Sequence, residues 1–307
     1  MANKAAKKRA GLEKKSRPPP LPVFFLSSCR PTLFMIIGAM NNPHKKLIEE
    51  LMLFGEMNFD YAEITIEHPH ARPEFIEKNK KDILDALSTY NLGIVTHLPW
   101  YFSLANPYER IEKATHTEFI SAFRIAALLG AKKITLHTET LSPSIQSRES
   151  HVDGTIRSLK TLHKEAMNMG LDLLIENLDS KSFSVREFTR LFSEVDMGMT
   201  FDVGHANTAK GEGLETYLKH FAPRIRHVHL HDNMGQTDDH LPLGAGKIDV
   251  EKTVAALKEK YDGTITLEVH SEDRHYLEYS RQRLDILWHG KKKHLEDQNY
   301  LQPSRKE

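Results

Sequence analysis

A chain of 307 residues, 39% hydrophobic and 27% charged, has room for one α/β barrel or two smaller domains. Its 42 Lys and Arg balance its 42 Asp and Glu, so the overall charge advertises neither a nucleic-acid nor a membrane partner. The single cysteine, Cys29, excludes an intramolecular disulfide and suits a reducing, cytoplasmic setting, and no apolar run approaches the length of a membrane span.

Residues 1–34 stand apart: basic, rich in Ala and Pro, and without core periodicity. They carry eight Lys or Arg and one Glu, which leaves the remaining body at −7. They read as a disordered tail, or as extra residues upstream of a start at Met35. Leu26-Ser27-Ser28-Cys29 resembles a lipoprotein cleavage box. The apolar stretch before it holds about six residues, short of the roughly 7–15 of a signal-peptide core. The body, 35–290, alternates strand and helix, and a polar tail, 291–307, closes the chain.

Strands are expected at 33–38, 61–66, 93–97, 133–137, 171–176, 198–202, 226–231 and 264–269, because these runs are short and largely β-branched or aliphatic. Helices are expected between them. In 107–129, Ile111, Phe119, Phe123 and Ala126 recur at helical spacing, Asn106-Pro107 suits an N-cap and first helical position, and Gly130 suits the stop. The stretches 250–261 and 277–288 behave alike. Eight such units match a (β/α)8 TIM barrel. A doubly wound open sheet is the competitor, but no Gly-rich fingerprint follows the first strand.

Six of the strands end on an acid or an imidazole: His97, His137, Glu176, Asp202, His229 and Glu268. The carboxyl ends of barrel strands share one face, so these side chains should converge. Glu176, Asp202, His229 and Glu268 come from consecutive strands and offer a hard O/N site for Mn²⁺, Mg²⁺, Co²⁺ or Zn²⁺. A lone His or Glu after a strand is usually an ordinary core or loop residue; four on four consecutive strands are not so easily dismissed. His97, His137, His205, Asp238 and His240 crowd the same loops and would extend the site to two or three ions, or else contact substrate or orient the ligands. Strand alternation turns His227, His229 and His231 to one side, His227 deep and structural, His231 at the rim. Glu63 and Glu67 suit a sugar-hydroxyl pocket, and Lys247 with the amides of the Gly244–Gly246 turn suits a phosphate.

His97-Leu98-Pro99, LLIEN, FDVGHAN, HVHLHDNMGQTDDHLPLGAGKID and GTITLEVH together resemble the xylose isomerase-like barrel superfamily, in its sugar phosphate isomerase/epimerase branch. The resemblance runs from about Met35 to Trp288. It implies one divalent ion on Glu176, Asp202, His229 and Glu268, proton transfer by Glu176 and Glu268 around an ene-diolate, and substrate contact from His205, with His97, His137, Glu63 and Lys247 as further substrate candidates. The partner would be a small sugar or sugar phosphate; a homo-oligomer is compatible with such a barrel. Some epimerases carry an Arg clamp where Gly235 and Gln236 stand here. The related endonuclease IV type of abasic-DNA enzyme uses three zinc ions on nine ligands. Counterparts for all nine exist in His97, His137, Glu176, Asp202, His205, His229, Asp238, His240 and Glu268. Trp100, Ser103 and Val203-Gly204 depart from the nuclease pattern, and nucleic acid is a partner only on that alternative.

Overall fold

The computed structural model describes residues 35–139, 146–178, 182–209 and 212–290. The basic tail with its cleavage-box-like Cys29, and the polar tail from 291, lie outside the described residues. Eight parallel strands close into a barrel in chain order, which is the (β/α)8 fold expected. They are β1 (Ile36–Met40), β2 (Tyr61–Thr65), β3 (Gly93–His97), β4 (Lys133–His137), β5 (Asp172–Glu176), β6 (Gly198–Asp202), β7 (Ile225–Leu230) and β8 (Thr264–Leu267). Ten α-helices surround them among the described residues: α1 (Leu47–Glu56), α2 (Pro73–Lys78), α3 (Lys80–Thr89), α4 (Glu109–Leu129), α5 (Arg148–Asn168), α6 (Val185–Glu194), α7 (Val203–Thr208), α8 (Leu214–Phe221), α9 (Val250–Lys260) and α10 (His275–His289). Two are additions to the eight-unit plan: α2, opened by Pro73 at its first turn, and α7, which starts directly after β6.

The strands are buried on both faces, but the faces differ in chemistry. Outward-facing Ile64, Ile134, Ile175, Phe201, Val228 and Ile265 join the core beneath the helices. Inward-facing positions carry Tyr61, Glu63, Thr135, Thr200, His227 and Thr266, all buried. Thr135 and Thr200 hydrogen-bond across the interior at 2.9 Å. A barrel lumen normally packed with branched aliphatics here keeps Val95 and Leu174 and otherwise carries a hydrogen-bonded polar column.

Several expected boundaries move. The first strand begins at Ile36 and runs on to Met40. The long helix begins at Glu109, because the Asn106 side chain accepts from the Tyr108 amide at 3.0 Å and holds 106–108 in a turn before the helix. Gly130 stops it as expected, with φ at +89°. Glu268 sits just past β8, one residue beyond the last barrel pairing.

Candidate metal and active site

Register, not sequence distance, brings the site together. His137 pairs with Glu176 across β4 and β5, and Asp202 pairs with His229 across β6 and β7. The four expected ligands meet. His229 Nδ1 lies 3.1 Å from Glu268 Oε1, 3.2 Å from Glu176 Oε1 and 3.9 Å from an Asp202 oxygen. All four side chains are buried. Glu176 Oε1, Asp202 Oδ2 and His229 Nδ1 have no hydrogen-bond partner, and Asp202, His229 and Glu268 bring one ligand atom each within 4.8 Å of one another. An ion with bonds of about 2.1 Å separates its ligand atoms by about 3.0–3.4 Å in octahedral or tetrahedral geometry. The cluster therefore fits a divalent cation.

Two further groups flank it. His97 Nε2 and His137 Nε2 lie 3.3 and 3.0 Å from Glu176 Oε2. On the other side, His205 Nε2 and His240 Nε2 approach Asp238 Oδ2 at 3.2 and 2.8 Å. Backbone carbonyls aim these rings: Leu98 O holds His97 Nδ1, Asn177 O holds His205 Nδ1, and Glu268 O holds His240 Nδ1, at 2.7–3.0 Å. Asp202 also caps α7, accepting from the His205 amide at 2.6 Å, which ties β6 and α7 to one carboxylate. Asn177 clamps β5 to β6 through two 2.9 Å bonds to the Asp202 backbone. All nine histidines and acids of the larger expected set are thus neighbours.

A profile for the xylose isomerase-like TIM barrel matches residues 54–301. The chain belongs to that family. It is 31% identical to an uncharacterised protein of Methanocaldococcus jannaschii, over 73% of this chain and 79% of that one. It is 23% identical to fructoselysine 3-epimerase of Escherichia coli O157:H7 (76% and 90% covered) and 25% identical to a probable endonuclease 4 of Mycobacterium leprae (73% and 89%). Among solved structures, a D-tagatose 3-epimerase-like protein superimposes with a TM-score of 0.72 at 25% identity, covering 82% of this chain and 97% of the other.

Three expectations about this member of the family change. His231 is not at the rim: it is fully buried, with Nε2 at 3.4 Å from Asp202 and 3.2 Å from Asp238. Its ring lies directly on Gly204, whose missing side chain leaves the space. Glu63 does not line a substrate pocket. It is fully buried, and its carboxylate receives His227, His229 and Thr266 from within the barrel. The Gly turn offers no phosphate cradle. The Gly244, Gly246 and Ile248 amides donate to the buried Asp232 carboxylate, and the Ala245 and Lys247 amides donate to Pro242 and Asn233 carbonyls. Lys247 itself is exposed. Glu67, by contrast, is buried with Oε2 unpartnered, as a hydroxyl-binding carboxylate would be.

The electrostatics separate the two glutamates. Burial opposes ionisation of Glu176, but His137 and His229 outweigh it and hold the carboxyl well below its usual range. Burial dominates at Glu268, with Asp202 and Glu176 adding repulsion, and raises its carboxyl despite His229. Burial would depress His229, yet Glu268, Glu176 and Glu63 lift it well above an ordinary imidazole. His231 is likewise lifted, to about 9, by Asp202, Glu268 and Asp238 against burial. His227 goes the other way, pushed by burial to about 4.

Proposed function

We propose that the protein is a metal-dependent isomerase or epimerase of a sugar or a similar polyol, with Glu176 and Glu268 as its acid–base pair. The observation that carries this reading is the pair of buried glutamates flanking His229 Nδ1 at 3.2 and 3.1 Å, and the opposite directions in which their surroundings push the two carboxyls support it. Environments that push two carboxyls apart are how one site keeps a base and an acid at the same pH. A divalent ion on Glu176, Asp202, His229 and Glu268 would supply Lewis acidity to a carbonyl and its neighbouring hydroxyl. Glu176, kept ionised, is the group ready to take a proton from the sugar carbon. Glu268, kept up, is the group ready to return one; which carbon regains the proton separates isomerisation from epimerisation. His97 and His205 lie beside Glu176 and suit sugar hydroxyls, and Glu67 adds an acceptor. With the Gly244–Lys247 amides committed, an unphosphorylated substrate is favoured over a sugar phosphate. The epimerase names of the relative and of the neighbouring structure support the same class.

Solvent-deuterium incorporation into a panel of ketoses tests it. The metal-loaded protein should label at least one, and Glu268→Gln, assayed at an ion concentration that saturates the variant, should slow labelling by about 10²–10⁴-fold. Labelling that survives in Glu268→Gln removes the assignment.

One observation favours a second reading. His97 and His137 gather on Glu176, His229 and Glu268 stand beside Asp202, and His205 and His240 gather on Asp238, three sets such as a three-ion phosphodiesterase would use. Incision of abasic duplex DNA by zinc-loaded protein would carry that reading over the first.

A further inference from the structure

Beneath His229 the barrel interior holds a continuous line of polar groups reaching the opposite mouth. Lys133, the first residue of β4, donates from Nζ to Thr264 Oγ1 at 3.0 Å. Thr264 Oγ1 lies 2.7 Å from His227 Nδ1, and His227 Nε2 lies 2.8 Å from Glu63 Oε2. The other Glu63 oxygen lies 3.2 Å from His229 Nε2. Glu63 Oε2 also accepts from Thr266 Oγ1 at 2.5 Å, and that hydroxyl is 2.7 Å from Tyr61 OH. Glu63, His227 and His229 are all fully buried, so water does not substitute for any of these partners.

The donor and acceptor inventory fixes the direction of the line. An ionised carboxylate only accepts, so both imidazoles must present N–H to Glu63 from Nε2. The Thr264 hydroxyl accepts from the Lys133 ammonium and has its own proton to give, and His227 Nδ1 at 2.7 Å is the acceptor within reach. That hydroxyl is turned toward His227 because a lysine ammonium, a pure donor, occupies its other side. The proton that His229 keeps when an ion binds is then the one on Nε2, which leaves Nδ1, between Glu176 and Glu268, as the nitrogen that can offer its lone pair to the ion. We propose that Lys133, Thr264, His227 and Glu63 form a hydrogen-bonded column along the barrel axis that sets the tautomer of His229 and so prepares its Nδ1 for a divalent cation. Glu63 is then a positioning residue, not a substrate contact. A carboxylate on the far nitrogen of a metal-binding imidazole both orients the ring and raises its basicity, and losing such a partner costs about 10–100-fold in metal affinity. What this chain adds is three further links, ending about the length of the barrel away from the ion.

The inference rests on the reading that the cluster takes a divalent ion, but not on which substrate is turned over. Its test is Co²⁺ titration followed by the ligand-field spectrum, with ¹⁵N imidazole NMR of the metal-free protein. His227 should show a protonated Nε2 and a bare Nδ1 at neutral pH. Glu63→Gln should weaken Co²⁺ binding by about tenfold or more. Thr264→Val, which touches no ligand, should weaken it less but in the same direction, and Thr264→Ser should restore it. If Glu63→Gln does not fold, the Thr264 pair decides alone. Wild-type Co²⁺ affinity in Thr264→Val, or a His227 protonated on Nδ1, overturns the proposal. A protein that takes up no Co²⁺ overturns it together with the metal reading, whereas intact Co²⁺ effects without ketose labelling sink only the proposed reaction.

Discussion

Gly204 sits in the first turn of α7 with the His231 ring against its Cα; a methyl group there would come within 2.0 Å of His231 Cε1. Helix propensity alone predicts that Gly204→Ala stabilises the protein by up to about 1 kcal/mol. The clash predicts the reverse, since the ring is wedged between Asp202 and Asp238 and has nowhere to go. Overpacking of this kind costs about 1–3 kcal/mol, so the clash wins. Urea unfolding should therefore show Gly204→Ala destabilised, and the same change in a His231→Ala background neutral or stabilising. Additive effects in that double-mutant cycle would mean that the two residues do not share the space. Alternation along β7 correctly turned His227, His229 and His231 to one side, and the acids and imidazoles at the strand ends do converge. Depth was not legible. His231 follows the last residue of β7 and so read as a rim position, but α7 folds back over it, and only the glycine at 204 hinted that something large lay there. Glu63 failed for a related reason: its place on β2 was visible, while its level in the barrel depends on closure by β7 and β8.

Elements were legible where their ends carry local chemistry and blurred where tertiary contacts decide. Gly130 stopped α4 as its left-handed φ requires, while Asn106 formed a turn with Tyr108 and delayed the same helix to Glu109. The Gly244–Lys247 turn looked like an anion nest and is one, but Asp232 of the same chain fills it, a pairing that no spacing rule announces. The start of α6 shows how such ends couple to pH. Glu187 accepts the Ser184 amide and hydroxyl, each at 2.8 Å, and pairs with Arg148 at the start of α5. Burial would raise its carboxyl, but Arg148 and Ser184 pull it below the ordinary glutamate value of 4.5. A carboxyl lowered by folding stabilises above its unfolded pKa and loses that contribution as pH falls toward the folded one. Glu187→Gln should then cost about 1 kcal/mol at pH 7, discounted for the partly exposed Arg148. Chemical denaturation at stepped pH should find the gap between wild type and variant closing below about pH 4.5. A gap of constant size down to pH 3 would assign the effect to packing instead of charge.

At the scale of the whole molecule, eight strands enclose more negative charge than a barrel interior tolerates alone. Glu63, Glu176, Asp202 and Glu268 are all buried on the same axis. His227 is pushed to about 4 by burial and Lys133 lies at the far end of the column, so the balancing charge near the strand ends must come from the imidazoles there or from a cation. The imidazoles respond as expected: His229 and His205 are lifted well above 6.5, and His231 to about 9. Protons therefore do provisionally what a divalent ion would do better, since an ion also satisfies Glu176 Oε1, Asp202 Oδ2 and His229 Nδ1. The sign of the linkage follows. A raised imidazole is protonated at neutral pH, an ion needs its lone pair, and binding must expel the proton. Calorimetric titration with Zn²⁺ or Mn²⁺ in two buffers of different ionisation enthalpy should show net proton release near pH 7, with apparent affinity falling as pH drops toward 5. The fold should register the same event. Saturation at about 100 times Kd adds about 2.7 kcal/mol to stability. For a domain of this size that is a rise of about 5–10 °C in Tm, reversed by a chelator. Unfolding that ignores both added ion and chelator, with no protons released, would mean that the buried acids are neutralised by their own histidines and that the barrel mouth is not a metal site.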